Sequence, residues 1–170
     1  MAAHLRVEVP PDFAAWRELA RKALLHDIPP ESIDFADDTI ATDGNLFGTD
    51  EPAFLQEAAP VDAATPHVPR MFLEKATIAS YHREPQRWNL FYRLLWRLQT
   101  ERNLMHLSVD SDVNALLRLD KQVRYDEHKM HAFVRFRRVM DGDGEHFISW
   151  YEPQHRILQL AAPFFGNASR

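Results

Sequence analysis

The spacing of apolar residues alternates between two periods along this chain, and these changes restrict the folds that it can adopt. Between residues 70 and 124 apolar side chains recur every three or four positions, which predicts amphipathic helices. Residues 4–9 and 132–139, on either side of that span, alternate between polar and apolar, which predicts strands. We therefore expect an α+β fold in which a small, mainly antiparallel sheet packs against several helices.

The first 36 residues predict a β-α-β unit at the start of a single domain that spans residues 1–170. A strand over residues 4–9 is followed by a helix over residues 13–26, for which Asp12 supplies the N-cap. A short strand at residues 33–36 completes the unit.

Residues 37–69 are rich in proline, aspartate and glycine, which indicates a loop-rich connection. Within it we expect at most a short helix near residues 54–58.

Residues 70–165 are predicted to form helices followed by a C-terminal hairpin. The predicted helices cover about 70–82, 85–102 and 110–124. On the second of them, Arg87, Arg93 and Arg97 are expected on the solvent side. The Asp-Gly-Asp-Gly run at residues 141–144 predicts the hairpin turn.

The composition excludes several kinds of site. The chain contains no cysteine, which removes disulfides, thiolate zinc sites and cysteine nucleophiles. It has only five glycines and no phosphate-binding glycine motif, so we expect no nucleotide-dependent reaction and no cofactor. No run of about 18 apolar residues is present, and the N-terminus lacks the features of a signal peptide. We therefore expect a cytoplasmic protein without membrane contact.

Charge is distributed unevenly along the chain. Residues 1–70 hold 13 acidic and five basic residues, a net charge of −8, whereas residues 71–170 hold 12 acidic and 15 basic residues, a net charge of +3. Five cations of the second part interleave with aromatic residues and could contact nucleic-acid phosphates while the rings stack on bases. These cations are Arg124, Lys129, Arg135, Arg137 and Arg138.

The interleaved aromatic residues allow a second interpretation. They are Tyr125, Phe133, Phe136, Trp150 and Tyr151. They could fill the buried face of the sheet while the arginines form solvated ion pairs with the acidic N-terminal half. For the aromatic side chains we expect this burial, whereas for the cations the pattern leaves both interpretations open.

Two histidines suggest a different chemistry. His128 and His131 are three residues apart and could share one helix face as ligands of zinc or iron. A metal site needs a third ligand, which His146, His155 or Glu152 could supply. His128, His131 and Glu152 are likewise the candidates for acid–base catalysis. No complete zinc motif is present, however, and the alternative is one structural and one surface histidine, so we expect no metal.

Several blocks of the sequence resemble one bacterial family. They are FAAWR (13–17), YRLLWR (92–97), VRYDEHKMHAFVRFR (123–137), WYEPQH (150–155) and APFF (162–165). The family is a DNA-metabolism domain found beside or fused ahead of uracil-DNA glycosylases of the UdgX-like group. Its genes also neighbour a radical-SAM protein of DNA modification or repair. The resemblance implies an accessory role in DNA repair without an assigned reaction.

The chain departs from that family pattern in two places. After Phe165 the family continues with basic and aromatic residues, whereas this chain ends Gly-Asn-Ala-Ser-Arg. We therefore expect a truncated product that does not excise uracil by itself. Tyr125 stands where the family carries a basic residue, which weakens the case for a phosphate contact there.

Three functions remain open at this point. The first is a binding module whose cations between Arg124 and Arg138 contact DNA. The second is an enzyme that uses the region around His128 and His131. The third is a scaffold whose aromatic surface binds the glycosylase domain or the radical-SAM protein.

Overall fold

The computed structural model describes residues 5–37, 52–57, 64–142 and 144–167. Over these residues it contains five α-helices and two separate two-stranded sheets. The α+β class is confirmed. The expected mainly antiparallel sheet is only partly right, because one pair of strands is parallel and the other antiparallel. The difference follows from the connections, since a helix joins the first pair and a tight turn joins the second.

The N-terminal β-α-β unit forms as predicted. Strand β1 (Leu5–Val9) pairs in parallel with β2 (Ile33–Asp37), and helix α1 (Phe13–Leu25) crosses between them. The Ala15 N–H donates to the Asp12 carboxylate at 3.0 Å, which caps the first turn of α1.

Three further helices build the large core. They are α2 (Arg70–Ala79), α3 (Arg87–Arg97) and α4 (Ser111–Phe133). Helix α4 is continuous for 23 residues, whereas the apolar pattern predicts an end near residue 124. It continues because Val123 and Met130 extend its buried stripe onto a second group of apolar residues.

The C-terminal hairpin starts later than the alternation predicts. Strand β3 (Arg137–Asp141) begins after the end of α4, because residues 132 and 133 still belong to that helix. It pairs antiparallel with β4 (Gly144–Ile148), which confirms the turn near residues 141–144. Helix α5 (Leu158–Asn167) follows and contains Pro163.

Two apolar cores share α4. The large core surrounds α1, α3 and the parallel strands, and its fully buried members include Trp88 and Phe91. The small core consists of Val123, Met130, Val134, Ile157 and Ala161. At 1.5 Å per residue α4 is about 35 Å long, so its two ends support different parts of the molecule.

The connection between β2 and α2 is described only in part. Ala53–Leu55 form a short 3-10 helix whose Phe54 and Leu55 side chains are buried, near the helix expected at residues 54–58. The rest of the loop prediction lies largely outside the described residues. Among the described helices, none has the length and apolar character needed to cross a membrane.

Candidate functional site

The most unusual surface of the molecule runs from the last turns of α4 through the hairpin. We call residues 125–151 the C-terminal surface. Most of its large apolar side chains are exposed, above all Trp150 at 90% and Phe133 at 68%, whereas Met130 and Val134 belong to the small core. Tyr125, Phe136 and Phe147 are also exposed, so the expected burial of the aromatic residues is wrong except for the half-buried Tyr151. Exposed large apolar side chains in such number are typical of a contact surface.

The register of the hairpin explains this exposure. Arg137 lies opposite Ile148, and Arg138 lies opposite Phe147 on the other face. All of β3 is exposed, and so is β4 apart from Gly144. Because the two strands form a sheet of their own, the described residues provide no second layer that buries either face.

Two of the five candidate cations are neutralised by neighbouring carboxylates. Arg124 pairs with Asp120 at 2.9 Å, one helical turn away. Arg138 pairs with Glu145 across the hairpin at 2.7 Å. Both partners are local, so these pairs differ from the pairing with the acidic N-terminal half that the second interpretation of the sequence proposes.

The other three cations have no carboxylate partner among the described residues. The Lys129 ammonium lies 4.5 Å from the centre of the Tyr125 ring. The Arg135 guanidinium donates to the Ala132 and Val134 carbonyls, which satisfies acceptors at the end of α4 without neutralising its charge. Arg137 forms no ion pair in the described part of the chain. Their positive charges are therefore available to a partner.

The charges of the hairpin are segregated along its length. Arg135 and Arg137 lie at its base, near α4, whereas Asp141 and Glu145 lie at its tip. The five cations therefore do not form one face: Arg137 and Arg138 point to opposite sides of the sheet. An anionic ligand would meet uncompensated positive charge at the base and carboxylates at the tip.

The candidate catalytic histidines are not brought together with a third group. His128 is exposed on α4, whereas the His131 ring stacks on Phe164 of α5 at 4.0 Å. His146 contacts Asp141 in the hairpin at 3.1 Å, and Glu152 is exposed. Within the described ranges no three histidine or carboxylate side chains lie close enough to hold a metal ion.

Sequence reasoning missed a polar junction between the two cores. We use that name for Asp37, His82, Arg87, His155 and Arg156. The Arg87 guanidinium is completely buried and donates to the Asp37 carboxylate at 2.6 Å, although we expected Arg87 on the solvent side. Arg156 donates to the same carboxylate at 3.0 Å. The expectation fails because the partner lies 50 residues away, at the end of β2.

Arg87 holds three segments together. It also donates to the carbonyls of Ser80 at 3.0 Å and Glu84 at 2.9 Å, in the turn between α2 and α3. Burial lowers the pKa of Arg87, and the hydrogen bond that Arg87 donates to the Asp37 carboxylate opposes that effect. The geometry is that of a buried, hydrogen-bonded ion pair which fixes the turn against the parallel strands.

Two histidines form the outer part of the polar junction. The rings of His82 and His155 lie 4.0 Å apart. His82 Nδ1 accepts from the Glu84 N–H at 2.9 Å, and its Nε2 contacts the Gln122 side-chain oxygen at 3.0 Å, so both nitrogens of a neutral ring are used. Burial, and then the charge of His155, lower the pKa of His82 from 6.5 to about 4.

The segment that leads into α5 is fixed at the same junction. The His155 N–H donates to the buried Asp126 carboxylate on α4 at 2.8 Å, and burial lowers the pKa of the His155 ring. Asp126 thus faces inward while His128 faces solvent, so this carboxylate does not orient His128. The arrangement is a structural link between α4 and the C-terminal segment.

These features define an α+β domain with an exposed, two-faced hairpin and a buried polar junction. A family model described as a domain of unknown function, DUF4130, matches residues 85–169. That match covers half of the chain, and the chain belongs to this family. It includes the whole C-terminal surface as well as Arg87 and Arg156, while Asp37 and His82 precede it. No curated protein and no solved structure matches the chain.

Proposed function

We propose that this domain is an accessory module of DNA metabolism that contacts DNA phosphates through the C-terminal surface. One observation carries the proposal. Lys129, Arg135 and Arg137 have no carboxylate partner among the described residues, although the whole chain has a net charge of −5. Cations left unpaired in an acidic protein are suited to neutralise phosphates.

The sequence resembles a domain found beside UdgX-like glycosylases, and this resemblance supports a role of the DNA contact in repair. A module that accompanies a glycosylase or a radical-SAM repair protein would act in the cytoplasm, next to DNA. The exposed apolar residues at the tip of the hairpin, Val139 and Met140, offer such a partner enzyme an additional contact area.

The acidic N-terminal part supports an oriented contact. Residues 1–70 carry a net charge of −8, which repels the DNA backbone, whereas the base of the hairpin attracts it. This asymmetry would direct DNA towards the cations of the C-terminal surface and disfavour unspecific coating of the whole chain.

A salt titration tests the proposal. If three phosphates are neutralised, the logarithm of the binding constant should fall with the logarithm of salt concentration with a slope of about −2 to −3. The double variant Lys129→Ala/Arg137→Ala should weaken binding at low salt and reduce the steepness of the slope by about 1 to 2.

A matched control uses a cation at the other end of the molecule. Arg102 is exposed near the start of α4, about 35 Å of helix away from the hairpin, so Arg102→Ala should leave affinity and slope unchanged. The proposal fails if the wild-type protein binds neither single-stranded nor duplex DNA at low salt. It also fails if Arg102→Ala has the same effect as the double variant.

A further inference from the structure

We propose that the C-terminal surface selects an unpaired DNA strand, with the Trp150 ring stacking on a base while Arg137 contacts a phosphate. This inference rests on the proposed function, because it names the form of DNA that the same surface binds. The exposed aromatic rings support the inference, because a contact with phosphates alone would not need them.

The exposure of Trp150 is the first step of the argument. Its side chain is 90% exposed, whereas Trp16 and Trp88 are buried in the large core. Two other rings near the base of the hairpin, those of Phe133 at the end of α4 and Phe136 just before β3, are exposed as well. Aromatic rings presented to solvent beside cations are the arrangement by which proteins hold unpaired bases without selecting a sequence.

Duplex DNA and an unpaired strand differ in the surfaces that an aromatic side chain can contact. In a duplex the bases stack on each other, so a protein meets phosphates and the edges of base pairs in the grooves. An unpaired strand offers base faces as well as phosphates. Rings contribute little to a contact with duplex phosphates but stabilise a contact with an unpaired strand.

The hairpin register brings the two kinds of contact together. Arg137 lies directly opposite Ile148, and Trp150 follows two residues later. From the cross-strand spacing and the rise per residue, the Cα atoms of Arg137 and Trp150 are at most about 12 Å apart. One short stretch of a strand can therefore contact both.

The carboxylates of the hairpin restrict where the strand can run. The paired Arg138 and Glu145 and the Asp141 carboxylate give the outer part of the hairpin no net positive charge, whereas Lys129, Arg135 and Arg137 attract phosphates at the base. The strand would thus cross the base of the hairpin beside the end of α4. The tip, with its aliphatic side chains, would remain uncovered by DNA.

The experiment compares a fluorescently labelled thymidine oligonucleotide with a blunt duplex of equal length at low salt. Wild-type protein should bind the oligonucleotide more tightly. Trp150→Ala should lower oligonucleotide affinity about 5- to 150-fold and change duplex affinity by less than about twofold. Trp150→Phe, which keeps a ring, should retain part of the lost affinity. Val109→Ala, an exposed apolar position before α4, is the matched control and should change neither.

The outcomes separate this inference from the function on which it rests. If Arg137→Ala weakens both ligands while Trp150→Ala weakens neither, DNA contact stands and the selection of an unpaired strand is wrong. If neither ligand binds, both proposals are wrong. If the oligonucleotide does not bind but a UdgX-like glycosylase domain does, and Trp150→Ala abolishes that interaction, the surface is a protein-docking site and the inference is overturned.

Discussion

In the large core, Trp88 and Phe91 are fully buried and the buried Arg87 is matched to Asp37. On the C-terminal surface, Trp150 and Phe147 are exposed, and three cations lack a carboxylate partner in the described part of the chain. The same residue types therefore have different roles in the two regions. In the core they stabilise the fold, whereas on the surface they contribute little to stability and remain available for contact.

Replacing an arginine in each region should give the largest difference. Arg87→Ala removes one of the two arginines that pair with the buried Asp37 carboxylate, so we expect a loss of about 3–5 kcal/mol in the free energy of unfolding. Arg137→Ala should change that free energy by less than about 0.5 kcal/mol. Urea unfolding at pH 7 measures both. A loss below about 1 kcal/mol for Arg87→Ala would show that the polar junction does not hold the two cores together.

A phenylalanine in each region provides the second comparison. Phe91 is completely buried, and Phe91→Ala should cost about 3–5 kcal/mol because it leaves a cavity. Phe147 is exposed, so Phe147→Ala should cost less than about 0.5 kcal/mol. Equal losses measured by urea unfolding would mean that the hairpin is packed against another part of the chain.

The polar junction should also respond to pH. The pKa of His82 is lowered from 6.5 to about 4 in the folded protein, so the unfolded chain binds a proton first as pH falls. The contribution of His82 is fully present above pH 6.5, is lost as pH falls from 6.5 to about 4, and does not decrease further below that. Glu84, Gln122, Arg87 and His155 are the polar groups that act on this ring.

Unfolding free energies measured across this range test the assignment. His82→Gln should flatten the loss of stability between pH 6.5 and about 4, whereas His106→Gln, at an exposed position, should follow the wild-type curve. An unchanged pH dependence in His82→Gln would place the titrating group elsewhere.

The smallest expected effect on stability concerns the hairpin ion pair. Glu145→Gln removes the partner of the exposed Arg138, which should change the free energy of unfolding by about 0–1 kcal/mol. The same change frees one cation, so DNA affinity at low salt should rise and the salt slope should become steeper by up to about 1. Unaltered DNA affinity would exclude Arg138 from the phosphate contact.

Features that depend on residues close in sequence are predicted correctly, whereas contacts between residues far apart in sequence are not. The β-α-β unit, the Asp12 cap and the hairpin turn depend on residues close in sequence, and they are found as predicted. The burial of Arg87 depends on Asp37, and the link of His155 depends on Asp126, 29 residues away. No local pattern reveals such pairs, because each residue alone is an ordinary charged or polar position.

The exposure of the aromatic residues is likewise not predictable from the local sequence pattern. Alternation in residues 132–139 predicts a strand with one buried face, but the segment begins in the last turn of α4 and ends in a sheet of only two strands. Whether a strand face is buried depends on a second layer, which the alternation itself does not encode. The cations could be named from sequence, whereas their pairing with Asp120 and Glu145 required the fold.

The most direct test of the C-terminal surface as the DNA contact is amide hydrogen exchange with and without a thymidine oligonucleotide. Bound DNA should slow exchange at the end of α4 and along residues 135–151, and leave α1, β1 and β2 unchanged. Slowed exchange confined to the N-terminal strands or to α1, or no change at saturating oligonucleotide, would contradict the account.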